Sequence, residues 1–381
     1  MQDIYISGGA MTPFGRHPGV LAPELAQQAI LKAVDDAGVE LGDIEAVYCA
    51  NVLGGMILGQ LIVRDLGLRG IPVYNIENAC ASGATGVHLA RHALLAGQYA
   101  TVLVFGIEQL TALGGGTIPM QRNDVKTDLY ATAGMVLPAV YAMRGTRFLH
   151  ERDATREDLA TVAVKNRHHG SLNAYAQQRT ETTVDEVLAS RMIADPLTLL
   201  QCCPSQVDGA AAVVMTTKRP TQRKPVRVLS SVVVSGIREQ ADDDILDAEI
   251  TARAAQQAYD QAGVSPRDVN VVELHDAFTI AELLYYEALQ LAAPGEAVHL
   301  LRSGATRLGG RVPVNPSGGL LAKGHPLGAT GIAQMVEVMW HLQDRAGSRQ
   351  VADARIGLTQ CTGGGIAGVD HAASSVHILG A

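Results

Sequence analysis

Asn78-Ala-Cys-Ala-Ser-Gly-Ala-Thr-Gly86 delivers one cysteine, Cys80, just ahead of an apolar segment of helical spacing, Val87-His-Leu-Ala-Arg-His-Ala-Leu-Leu95. The spacing predicts a helix from about Ser82 to Leu95, and Ile71 to Ile76 upstream reads as a strand. A thiol at a helix start meets unsatisfied N–H groups and the positive end of the dipole. That setting favours the nucleophilic thiolate. The small residues Ala81, Ser82, Gly83 and Ala84 let a substrate come close. Taken alone, a free cysteine is more often a buried packing residue.

What decides the fold is that this stretch has an echo. Gly83-Ala-Thr-Gly86 returns as Gly328-Ala-Thr-Gly331, again opening an amphipathic helix. A second echo precedes it. The first helix-like segment, about Ala22 to Ala37, leads through an Ala-Gly-Val39 turn and Asp43-Ile44 to the strand Ala46 to Ala50. At an offset of 225 residues, Ala258-Tyr-Asp-Gln-Ala-Gly-Val264 leads through Asp268-Val269 to the strand Val271 to Leu274. Two echoes in the same order predict a duplicated half. Strands alternating with helices make each half an α/β unit with a largely parallel sheet, whose active residues lie where strands end and helices begin.

Between the halves, about Thr117 to Pro204 does not repeat and reads as an insertion, with a helix-like Val184 to Ser190. The strand Gly209 to Thr217 then returns to the first half, and Ala372 to Leu379 is its C-terminal counterpart. The basic, proline-containing Lys218 to Pro225 is the linker. The predicted organisation is an N-terminal half, 1–220, carrying an inserted loop domain at roughly 117–204, and a C-terminal half, 221–381.

Composition narrows the function classes. A net charge of −8 without a long basic run argues against a nucleic-acid surface. No apolar segment approaches the roughly 18 residues of a membrane span. The chain enters Asp3-Ile-Tyr-Ile-Ser-Gly-Gly9, a strand and turn, without a leader, which predicts a cytoplasmic protein. Five cysteines (49, 80, 202, 203 and 361) lack framework spacing, which predicts free thiols. No Cys/His spacing resembles a zinc site, so no metal is expected.

Three more stretches carry chemistry. Glu273-Leu-His-Asp-Ala-Phe278 puts His275 at a strand end. Asn315 to Gly331 places His325 in a glycine-rich loop before a helix. Gln360-Cys-Thr-Gly-Gly-Gly365 places Cys361 beyond the strand Ala354 to Leu358. Two cysteines and two histidines at such positions suit nucleophilic catalysis with a second acid/base.

Together these residues resemble a thiolase. The resemblance rests on Cys80-Ala-Ser-Gly83, Gly324-His-Pro-x-Gly-Ala-Thr-Gly331 and Cys361-x-Gly-Gly-Gly365, in thiolase order. Leu197-Thr-Leu-Leu-Gln-Cys-Cys-Pro-Ser205 and Asp208-Gly-Ala-Ala-Ala212 resemble the end of the thiolase loop domain. Most thiolases have Asn-Glu-Ala-Phe where this chain has His275-Asp-Ala-Phe278. The histidine form is similar to the sterol-carrier-protein-X type and its bacterial and archaeal relatives.

The resemblance implies a five-layered αβαβα sandwich and a homodimer or homotetramer. It implies Claisen condensation or thiolytic cleavage of a 3-ketoacyl-CoA, with acetyl-CoA or coenzyme A as substrate and no permanently bound cofactor. It makes Cys80 the nucleophile and His325 the acceptor of its proton. His275 and His325 would form one oxyanion hole, the backbone N–H groups of Cys80 and Gly363 a second, and Cys361 would be acid/base at the α-carbon. Preorganised donors of this kind contribute about 3–4 kcal/mol each. Coenzyme A contacts fall on Lys323, Gly324, Arg167 and His168, with His169 beside them; the charged run also reads as a solvated face. Met135 and Met143 read as packing or acyl-tunnel residues, and Asp276 as an orienting group or a helix cap. An alternative on the same scaffold is an acyltransferase or retro-aldolase subunit that needs a small OB-fold, zinc-ribbon partner.

Overall fold

The computed structural model describes residues 2–114, 136–236, 244–364 and 372–381. Its strands are β1 (Tyr5–Met11), β2 (Ala46–Ala50), β3 (Val73–Ile76), β4 (Thr101–Gln109), β5 (Met192–Ala194), β6 (Leu197–Thr198), β7 (Asp208–Thr216), β8 (Val226–Val234), β9 (Val271–Glu273), β10 (Ile356–Gly363) and β11 (Ala373–Gly380). Its helices are α1 (Ala22–Ala37), α2 (Leu58–Arg64), α3 (Ser82–Leu95), α4 (Leu137–Glu151), α5 (Arg156–Ser171), α6 (Val184–Ala189), α7 (Glu249–Ala262), α8 (Thr279–Ala288), α9 (Ala297–Arg302), α10 (Gly319–Ala322) and α11 (Leu327–Leu342). Among the described residues no helix is long and apolar enough to cross a membrane.

The repeat seen in the sequence is a repeat of structure. Helix α1 ends at Gly38 (φ 66°, ψ 36°) and α7 at Gly263 (φ 66°, ψ 32°), the left-handed stop that glycine adopts without strain. Nine strands form one sheet in the order β3-β2-β4-β7-β1-β8-β11-β10-β9. The run β2-β4-β7-β1 is matched by β9-β10-β11-β8, with parallel pairing in the first step of each and antiparallel pairing in the rest. Where the first half adds β3, the second offers only a parallel bridge from Val272 to Val314. The halves join through Tyr5↔Arg227 and Ile6↔Val226. Each half-sheet is therefore mixed rather than largely parallel. β11 pairs antiparallel with β10, and β7 is its counterpart in the first half.

Strand alternation makes the layers. Val47, Cys49, Leu103, Phe105, Ala212 and Val214 point to one face and pack on α1 through Leu25, Ala29 and Ile30. The alternate residues, Ala46, Tyr48, Val102, Val104 and Val213, point to the other face and meet α3 and α11. Those two helices also touch the second half-sheet at Val228, Val271 and Leu379, whose own outer face (Val272, Leu358, Ile378) is covered by α7 and α8. The order is helix, sheet, helix pair, sheet, helix, the five layers expected. Each fully buried Leu, Ile or Phe contributes roughly 1.5–3 kcal/mol, so these faces hold the layers together.

The glycines of the two Gly-Ala-Thr-Gly copies explain how α3 and α11 share the middle layer. A Cβ on Gly83 would lie 2.7 Å from the Gly328 carbonyl oxygen, and one on Gly331 would lie 2.5 Å from the Ala84 nitrogen. The motifs face each other with backbone against backbone. Gly106 of β4 presses on the same spot, where a Cβ would come within 2.1 Å of the Gly328 oxygen. Gly106→Ala is expected to destabilise the protein by about 3 kcal/mol or more, since backbone on both sides must move. A melting temperature within a degree of wild type would refute this.

Candidate active site

Four segments converge at the N-terminal ends of the central helices. Ala79 takes a left-handed conformation (φ 47°), uncommon for a residue with a side chain. It makes the tight turn closed by Ala81 N–H to Asn78 O (3.1 Å), which sets Cys80 ahead of α3. His325 is buried in the loop before α11, with Nδ1 2.8 Å from Thr330 Oγ1. That hydroxyl donates its proton to Pro326 O (3.0 Å), so it accepts from His325 Nδ1–H and leaves Nε2 with a lone pair.

His275 follows β9. Its N–H donates to Gln360 Oε1 (2.9 Å), and the preceding Leu274 N–H donates to Asn315 Oδ1 (2.8 Å). The two imidazoles stand edge to face, 4.8 Å between centroids. The Cys80 sulfur and one ring nitrogen from each histidine lie within 4.8 Å of one another. Cys361 comes from inside β10, a strand that runs to Gly363 and so extends past the predicted end. Its Sγ is 3.1 Å from Cys80 O and 3.2 Å from His275 Nδ1. All four residues chosen from the sequence are thus in one place.

The electrostatics differ from the expectation at Cys80. Burial pushes its thiol up to about 12, and the hydrogen bond from Gly364 N–H only partly offsets this. Helix α3 starts two residues later, and loss of water outweighs its dipole. Burial also pulls His325 down to about 3 and raises Cys361 well above the usual thiol range, with Cys80 adding to the latter. The resting site is a neutral thiol beside a neutral imidazole. Backbone N–H groups of Gly364 and of Cys80 itself donate toward the Cys80 sulfur. Gly363 walls the site, its Cα tight against Asn78 O and Ala81 N. All five cysteines are free.

Family profiles agree with this constellation. The profile described as "Thiolase, N-terminal domain" matches residues 4–219, and "Thiolase C-terminal domain-like" matches 234–381. The chain belongs to the thiolase family. Like its relatives, this thiolase is a CoA-dependent acyltransferase. It is 40% identical over 373 residues to the benzoylsuccinyl-CoA thiolase subunit BbsB of Thauera aromatica, covering 96% of this chain and 95% of that one. It is 39% identical to an acetyl-CoA acetyltransferase of Methanothermobacter thermautotrophicus, covering 96% and 97%. Among solved structures, an Ltp2-ChsH2(DUF35) aldolase superposes with a TM-score of 0.86 at 26% identity, covering 100% and 98%. The Acat5 thiolase of Ascaris suum in complex with coenzyme A gives 0.73 at 19%, covering 99% of each chain, a likeness of fold.

Several sequence expectations land elsewhere in this thiolase. Lys323 is corrected: it is buried, with its ammonium 3.5 Å from the Glu273 carboxylate, and cannot serve a solvent-facing phosphate. Gly324 (φ 113°) packs against Val207. Arg167 donates to Gln178 Oε1 (3.1 Å), and exposed His168 pairs with Glu181 (2.9 Å). His169 is fully buried, donating from Nδ1 to Asn315 O and accepting from Leu308 N–H at Nε2, so the charged run is not simply a solvated face. Asp276 accepts from Leu320 and Leu321 N–H at the start of α10, the capping role. Met143 is exposed rather than packed, and Met135 and the start of the insertion lie outside the described residues.

Other contributors had no sequence signal. Buried Glu108 accepts from Val52, Leu53 and Gly328 N–H, tying the loop after β2 to the start of α11. Tyr141 of α4, stacked on Phe278 at 4.5 Å, and Tyr285, 3.2 Å from Thr362 Oγ1, bring aromatic surface toward the two cysteines. Only Thr330 was findable, as the third residue of the repeated motif. Thr330→Val is expected to reduce kcat about tenfold to a hundredfold with KM little changed, because His325 loses the partner that fixes its tautomer. An unchanged kcat would show the ring needs no such orientation.

Buried neutral histidines also predict acid lability. His325 and His377, each lowered to about 3 chiefly by burial, stay unprotonated in the fold but take a proton near 6.5 when unfolded. Their folded values are depressed, so the unfolded state binds more protons between these limits. Stability should therefore fall as pH drops from about 6.5 toward 3, by up to about 1.4 kcal/mol per pH unit for each residue. Melting temperatures that stay level from pH 7 to pH 4 would contradict this.

Proposed function

We propose that this thiolase works through an acyl-enzyme on Cys80, joining or cleaving 3-ketoacyl-CoA thioesters. The observation that carries the reading is the meeting of Cys80 with His325 on one side and Cys361 with His275 on the other. In the condensing direction the Cys80 proton passes to His325 Nε2 as sulfur attacks the thioester carbonyl. Coenzyme A leaves as its thiol, taking the Cys361 proton. The Cys361 thiolate then removes a proton from the α-carbon of the second thioester. The resulting enolate attacks the acyl group on Cys80, whose sulfur recovers its proton from His325. Cleavage is the reverse. In this reading His325, protonated at Nε2 after the first transfer, and His275 hold the thioester oxygen, and the N–H groups of Cys80 and Gly363 hold the second oxyanion. The aromatic surface of Tyr141, Phe278 and Tyr285 suits the apolar part of an acyl group.

We further infer a homodimer formed along the edge strand β3, where Tyr74, Met56, Ile57 and Leu61 leave apolar surface exposed. Intact-protein mass after incubation with acetyl-CoA tests the acyl-enzyme. One added acetyl group on wild type, absent from Cys80→Ser, is the expected result. No adduct on either protein would favour the second reading, suggested by the solved aldolase whose title pairs it with a DUF35 chain: a subunit that needs such a partner.

A further inference from the structure

We propose that Glu108 is a positioning residue for His325. Its carboxylate fills an anion hole at the start of α11, the first half's counterpart of the hole assigned to the substrate oxyanion ahead of α3. Glu108 lies near the end of β4 and is buried. Val52 N–H donates to its Oε2 at 3.0 Å, Leu53 N–H to Oε1 at 3.0 Å and Gly328 N–H to Oε2 at 3.1 Å. Among the described residues it accepts every hydrogen bond it makes, as an ionised carboxylate does. Three backbone N–H groups from two segments, one of them in the first turn of a 16-residue helix, make a site for an anion. Here the protein supplies the anion itself.

The sheet register shows which residue of the second half stands where Glu108 stands. Strand β4 meets β2 through Val102↔Ala46, and β10 meets β9 through Gly357↔Val271. Ala46 and Val271 are the same position of the repeat, so Val102 matches Gly357, and the same step along each strand brings Glu108 to Gly363. The other edge agrees. Val102 and Glu108 pair with Met215 and Gly209 of β7, Gly357 and Gly363 with Leu379 and Ala373 of β11. Both residues lie against the start of a central helix: a Cβ on Gly363 would come within 2.2 Å of Asn78 O and 2.9 Å of Ala81 N, ahead of α3. Glycine leaves its hole to the substrate; glutamate fills the other.

The filled hole steadies His325. The turn that Glu108 grips also carries Thr330, whose hydroxyl holds His325 Nδ1 at 2.8 Å. On its far side the turn is close-packed, since a Cβ on Gly328 would lie 2.6 Å from Ala50 O. Without the carboxylate, three N–H groups lose their acceptor and the turn is free to shift. A displacement of about an ångström at a reacting group costs about a hundredfold in rate. The roles of His325 and of the substrate's hole rest on the acyl-enzyme reading above; the hole around Glu108 does not.

The test is chemical rescue of Glu108→Ala by sodium formate, with sodium chloride at equal ionic strength as the control. Well below its melting temperature the variant should be folded by circular dichroism, with kcat lowered about tenfold to a hundredfold and KM little changed. Formate should raise its melting temperature and its kcat with one half-saturation concentration, and leave wild type unaffected. Glu108→Gln keeps the shape but turns an amide NH2 toward one of the backbone N–H groups. It should lose kcat by a smaller factor, gain nothing from formate, and carry the test if the alanine variant does not fold. An unchanged kcat in every variant that folds overturns the proposal. So does formate that raises the melting temperature without kcat, the mark of a merely structural role, or a folded Glu108→Ala that ignores formate. A wild type that never acetylates Cys80, beside a formate-dependent rise in the Glu108→Ala melting temperature, would remove the acyl-enzyme reading and keep the hole. Acetylation of wild type with no effect of formate would do the reverse.

Discussion

Cys80→Ser is expected to lower kcat/KM for thiolysis by roughly four orders of magnitude or more, as removal of a catalytic nucleophile commonly does. The structure makes serine an especially poor substitute. Burial holds even the thiol near 12 and the His325 imidazole near 3, so the resting site has little power to move a proton from Cys80. A hydroxyl is a weaker acid still. The same numbers say how wild type should behave. Without substrate there is no preformed thiolate–imidazolium pair, and iodoacetamide at neutral pH should alkylate Cys80 no faster than an ordinary free cysteine. Rapid alkylation with a plateau well below pH 8 would mean that the helix dipole and Gly364 outweigh desolvation after all.

Glu282→Ala is the substitution expected to cost the most stability. Glu282 and Lys165 are fully buried and 2.8 Å apart. The carboxylate also accepts from Asn166 Nδ2 (2.8 Å), Asn315 Nδ2 (3.2 Å) and the Tyr286 hydroxyl. Removing it leaves the Lys165 ammonium buried with the Val314 carbonyl as its acceptor among the described residues, a loss of about 3–5 kcal/mol. For a chain of this size that is a fall in melting temperature of roughly 4–6 °C. Replacing both residues together, Lys165→Met with Glu282→Leu, should cost less than Glu282→Ala alone, since no charge is stranded. Equal losses would show that packing rather than charge is responsible. Activity should fall with the single change, because Asn315 anchors the strand end that carries His275 and Asn166 reaches Asp276.

Much of this was legible before any coordinates. The duplication, the helix bounds of α1 and α3 and the four reactive residues follow from local pattern, because caps, turns and helical spacing are written in neighbouring residues. Buried partnerships are not. Nothing next to Lys323 announces Glu273, 50 positions away, and nothing next to His169 announces Asn315. A polar run such as Lys165 to His169 looks solvated until the helix carrying it packs against the second half. The thiol's acidity escapes the sequence for a related reason. A helix start is visible in sequence, but the density of atoms that strips water from a sulfur is not.

The close backbone contact between the two Gly-Ala-Thr-Gly copies has one more meaning. Cys80 stands three residues before Gly83, and His325 stands three residues before Gly328. The nucleophile and the base assigned to it are therefore the same position of the repeat, read once in each half. Folding the halves about their shared centre brings those positions together by symmetry, with no loop needed to aim one at the other. Duplication supplied a matched pair of addresses, and divergence had only to write a thiol at one and an imidazole at the other.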